Sequence, residues 1–187
     1  MDLSDLHPKV AIEVPGAPTF AVMGAVSDAT ADFLRRSRAW RVKFGPLDFL
    51  SWKTVYSVRL PPDSMLVEPT EVKLDGQRLR SENYWPVGLG EFEVAEGLYG
   101  KELRGEVALT VTNEATEVPD RLGYEFGDAI VLGALGRLLR IPGAEWTNPQ
   151  LAMAYVAGYE EAIDRAATRA ASGFKQERTR TVRYGGL

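Results

Sequence analysis

The chain has no cysteine and one histidine in 187 residues. Without thiols there are no disulfides, thiolate metal sites or cysteine nucleophiles, so stability has to come from packing or assembly. A lone His7 ahead of Pro8 argues against a histidine metal cluster and a Ser/His/Asp triad, and no metal or other cofactor is expected. No apolar run approaches the roughly 18 residues that suggest a membrane span. The opening Met1-Asp2-Leu3-Ser4-Asp5 is acidic, unlike the basic start of a secretory signal. These absences predict a protein made and kept soluble in a cytoplasm, with no membrane partner.

With 45% hydrophobic and 26% charged residues, the composition is that of a globular protein. Its charge is uneven. Lys175, Arg178, Arg180 and Arg183 against Glu177 give the last fourteen residues a net +3; with −4 for the whole chain, this leaves −7 for residues 1–173. An acidic body with a basic end argues against bulk nucleic-acid binding and for a tail that meets an acidic surface.

Hydrophobic period and chain breakers divide the sequence into four zones. Residues 1–41 hold a polar arm with Pro8, Pro15 and Gly16, then a helix from Pro18 to about Arg38 on which Val22, Val26, Ala29 and Phe33 recur at helical spacing. Residues 42–116 change period. Val55–Leu60, Val67–Leu74, Glu91–Val94 and Glu106–Thr112 read as strands with one buried face, and Asp75-Gly76 as a hairpin turn. Residues 117–173 return to helix. One runs from Pro119 through the small residues Gly133, Ala134 and Gly136; the next, with Leu151, Tyr155, Tyr159 and Ile163 on its stripe, ends at Ser172-Gly173. Residues 174–187 are an alternating, basic extended tail. The expected fold is α+β: a bundle of three main helices carrying a small inserted antiparallel β domain, with this tail beyond.

Candidate chemistry is sparse. Gly133-Ala-Leu-Gly136 and Gly88-Leu-Gly90 lack the strand, Lys-Ser/Thr and helix context of a phosphate loop and are better explained by packing and turns. Glu91 with Glu93, or Glu160 with Glu161 and Asp164, could serve acid–base hydrolysis only if one carboxyl were raised in an apolar pocket, which solvated neighbours rarely provide. Trp40, Trp52, Trp85 and Trp146 read as core or junction anchors. The tail, with Phe174, Lys175, Arg178, Arg180, Val182, Arg183 and Tyr184, reads as protein-docking, with a merely solvated end or a DNA contact as alternatives.

The turn between the last two helices is the most distinctive stretch: Pro142, Gly143, Trp146, Asn148 and Pro149. Asn148 can cap the free amides, and Pro149 suits the first helical position. With Phe33-Leu-Arg-Arg-Ser-Arg-Ala-Trp40, the Gly-Ala-Leu helix and the basic tail, this layout resembles the head-to-tail adaptor (connector) proteins of tailed bacteriophages, such as the tail tubular protein A-like adaptors of short-tailed phages. The resemblance implies a non-enzymatic virion protein of the neck, assembled as a homo-oligomeric ring of roughly twelve copies between the portal protein and a tail nozzle or stopper. In that family the C-terminal tail reaches into the portal. Genomic DNA would pass the acidic lumen without specific binding. A tail-associated cell-wall glycan hydrolase and a cellular DNA-binding or assembly module are the rival classes.

Overall fold

The computed structural model describes residues 1–172. A 3-10 turn (Leu3–Leu6) leads into α1 (His7–Ala11) and α2 (Thr19–Ser37). Then come β1 (Arg41–Asp48), β2 (Val55–Ser57), β3 (Ser64–Leu74), β4 (Gln77–Arg78), β5 (Tyr84–Pro86), β6 (Glu91–Val94) and β7 (Glu102–Val111). The helices α3 (Asp120–Leu138) and α4 (Pro149–Ala171) follow. The strands form two antiparallel sheets, one ordered β1-β7-β3-β4 and the other β2-β6-β5.

These findings correct the expected three-helix bundle with a small β insertion. Among the described residues there are four α-helices and seven strands, and one cluster of buried side chains runs through both helices and sheets. The first 16 residues are not a loose arm. Leu3, Leu6, Val10 and Val14, spaced three and four apart, are all buried, and Pro8 stands in the first turn of α1, where its missing N–H costs nothing. Reading Pro8, Pro15 and Gly16 as breakers hid that helical spacing.

The β region is likewise part of the main core. Every residue of β7 from Val107 to Val111 is buried, whereas its sequence suggests one wet face. Helix α2 crosses β7: the Thr110 hydroxyl donates to the Ala31 carbonyl at 2.8 Å. The second sheet is joined to β1 by Phe44, whose ring centre lies 5.1 Å from that of Phe92. Pro69 is accommodated in β3 where the register with β7 shifts, the kind of bulge at which proline is tolerated.

Other expectations hold. Val22, Val26, Ala29 and Phe33 form the fully buried stripe of α2. Asp75 and Gly76 both have positive φ, at 49° and 84°, and join β3 to β4 as a tight hairpin turn. The Asp75 carboxylate fixes this corner by accepting from the Lys101 and Glu102 amides at 3.0 and 2.9 Å. Glycines let α3 and α4 approach: a Cβ on Gly133 would lie 2.6 Å from the Tyr159 ring, and one on Gly136 would lie 2.7 Å from Val156 Cγ2. No helix of the described residues is long and apolar enough to cross a membrane.

Candidate interaction surfaces

The α3–α4 turn is built as a helix start. Its five predicted residues lie together in one segment. Gly143 takes a positive φ of 77°, the Asn148 amide donates to the Leu139 carbonyl at 2.9 Å, and Asn148 Oδ1 accepts from the Leu151 amide at 3.1 Å. Pro149 then opens α4. Pro142, Asn148 and Pro149 are exposed. Trp146 is only half buried, packed against the core with its Nε1 shielded and lacking a hydrogen-bond partner in the described residues. It is thus a weaker anchor than a fully buried tryptophan.

A polar network that the sequence did not reveal joins α2, α3 and α4. The Tyr159 hydroxyl lies 2.8 Å from the Ala29 carbonyl and 3.0 Å from Asp32 Oδ2. Arg137 reaches Asp32 at 3.4 Å, donates to the Gly133 carbonyl at 3.2 Å and stands over the Tyr159 ring. Arg36 holds Glu160 through two parallel bonds, one of 2.8 Å, and lies 3.6 Å from Asp32. These groups border a hollow of about 300 Å³ that Arg140 also lines. Burial, reinforced by the Asp32 charge, pushes the Tyr159 phenol well above its ordinary value. The Arg36 hydrogen bond holds Glu160 below the usual carboxylate range, the opposite of what a general acid requires. The arrangement ties three helices together through side chains of each. Its one legible signal was the Asp32–Arg36 pair at i,i+4 beside a tyrosine on an apolar stripe.

The outer face of the second sheet is a different kind of surface. Phe92 and Val94 point inward and are buried, so Glu91 and Glu93 point outward. Register places Val55, Glu93 and Trp85 in one row and Ser57 beside Glu91 in the next. Trp85 Nε1 donates to Glu93 Oε2 at 3.0 Å, and Ser57 Oγ donates to Glu91 Oε1 at 3.0 Å. Trp85 is 41% and Trp52 78% exposed; of the four tryptophans expected as anchors, only Trp40 is fully within the core. Glu91 and Glu93 therefore sit on an open sheet face rather than in an apolar cleft.

The other exposed apolar side chains, among them Ile12, Phe20, Leu89, Tyr99, Tyr124 and Met153, lie on both the helical and the β parts. Phe174, Lys175, Arg178, Arg180, Val182, Arg183 and Tyr184 lie outside the described residues. What fold and surfaces define is an α+β protein with a glycine-packed helix pair and an aromatic, acidic sheet face. No protein-family model matches the chain, and no curated protein matches it.

Proposed function

We propose that the protein is a structural head-to-tail adaptor of a tailed bacteriophage, present in several copies as a ring between the portal and the next tail component. The observation that carries this reading is the α3–α4 hairpin. Its Gly133 and Gly136 contacts and its Asn148-Pro149 helix start make a rigid pair of the segment on which the resemblance rests, directly ahead of the basic residues 174–187. Exposed apolar side chains stand on both the helical and the β parts, and a head-to-tail ring contact requires two different patches. The net −7 of residues 1–173, repeated around a ring, makes an acidic lumen that repels DNA phosphate. The basic segment then meets the portal, and the neck of the virion is the site of action.

The test mixes the purified protein with portal-bearing capsids and follows mass by light scattering and symmetry by negative-stain imaging. The expected result is a protomer that forms a ring on the capsid vertex, while a chain lacking Phe174 to Leu187 folds but is not incorporated. A full-length protein with no affinity for capsids, or undiminished incorporation of the shortened one, overturns the reading.

A further inference from the structure

The outer face of β2-β6-β5 has no cover among the described residues, and its carboxylates have no cation opposite them. Glu91 and Glu93 are held only by Ser57 and Trp85, and no ion pair of the described residues includes either of them. The two stand at i and i+2 on one side of β6, about 7 Å apart along a strand, flanked by the exposed indole of Trp85 and by Val55. A surface of this kind selects an extended segment with cations at the same two-residue repeat and apolar or aromatic side chains in line with them.

We propose that this face seats the chain's own residues 174–187. Arg178 and Arg180 have the spacing of Glu91 and Glu93, with Val182 and Tyr184 continuing the same alternation, and the segment carries a net +3 in a chain of net −4. Reach permits it. Near the end of α4, Arg169 pairs with Glu125 at 2.6 Å, and Glu125 shares a hollow with Trp40 and Arg41 at the start of β1. Three residues further along β1, Phe44 packs on Phe92 of β6. Arg178 and Arg180 follow Ser172 by six and eight residues, spans of about 20 and 27 Å when extended. Pairing Arg178 and Arg180 with the two glutamates, and stacking a cation or ring on Trp85, holds the segment to its own protomer. In the adaptor reading the portal competes for the same residues, so the segment is released only where a portal is present; the seat itself does not depend on that reading.

Two measurements on the full-length chain test the seat. In NMR spectra the indole N–H signal of Trp85, assigned with Trp85→Phe, should move when Arg178 and Arg180 are both changed to Gln and when salt is raised. The Trp40 and Trp146 signals, away from the face, should stay in place in the Arg→Gln variant. Cleavage by trypsin after Arg178 and Arg180 should speed up several-fold in the Glu91→Gln, Glu93→Gln double variant, the scale of effect expected of two exposed ion pairs. An unmoved Trp85 signal, or cleavage that the double variant leaves unchanged, overturns the proposal. Neither readout involves capsids, so a failure here is distinct from a failure of the adaptor reading.

Discussion

At the scale of single residues, two glycines in helices make opposite predictions from the same chemistry. Gly133 meets the Tyr159 ring where its Cβ would be, whereas Gly24 in α2 has nothing within 4 Å. Overpacking costs about 1–3 kcal/mol, and helix propensity returns up to about 1 kcal/mol for Gly→Ala. Gly133→Ala should therefore lose about 1–2 kcal/mol in denaturant unfolding, while Gly24→Ala should gain about 0.5–1 kcal/mol. Equal effects would mean that α3 and α4 are not packed as described. Tyr159 carries a pH prediction. Its phenol is raised from 10.0 by burial and then by Asp32, so above pH 10.0 the folded chain retains a proton that the unfolded chain releases. The stability this carries is full below pH 10.0 and is lost progressively as pH rises from there towards the higher folded-state value. Tyr159→Phe should cost about 1 kcal/mol near neutrality, and the gap to the parent protein should narrow in unfolding curves recorded above pH 10.0.

Among the elements, β7 is the member on which the others depend. It pairs with both β1 and β3 and lies against α2. Gly105 makes that three-strand contact possible: a Cβ there would stand 2.0 Å from the Glu71 carbonyl oxygen of β3 and 2.7 Å from the Phe44 ring of β1. The Glu71 carbonyl is fixed in the strand backbone, and the Phe44 ring is held against Phe92. Gly105→Ala should thus destabilise by more than about 3 kcal/mol, with faster amide hydrogen exchange in β1, β3 and β7; slow exchange retained in all three strands would contradict the packing. Much at this scale was legible beforehand. Helical spacing located α2, α3 and α4, and the positive φ demanded by Asp75-Gly76 located the hairpin. The eight-residue β1 was not distinguished, because Gly45 and Pro46 interrupt its pattern, and α1 was masked by Pro8.

For the molecule as a whole, the shared core has a thermodynamic consequence. Buried residues of the helices and of both sheets form one cluster, with α2 on β7 and Phe44 on Phe92 as its bridges. Helix content measured by far-ultraviolet circular dichroism and tryptophan emission should then be lost in a single coincident thermal transition. Two separated transitions would show the β region melting by itself, as an inserted module would. Charge also acts at this scale: an acidic body with a basic end is a property of the full chain.

The sequence by itself determined the order and type of the main elements, the capped α3–α4 turn, and the exclusion of cysteine chemistry. Each follows from local spacing or from a residue's own covalent character. The candidate surfaces were only partly legible. Five turn residues stood out because they are neighbours in the chain, whereas Asp32, Arg36, Arg137, Tyr159 and Glu160 come from three helices and meet only once those helices pack. Tertiary structure alone decided that the β region shares the core with the helices, that Trp52 and Trp85 face outward, and that Glu91 and Glu93 share an open sheet face with Trp85. Such facts depend on which face of an element a distant element covers, and a period of two or of 3.6 residues says that a face is buried without saying against what.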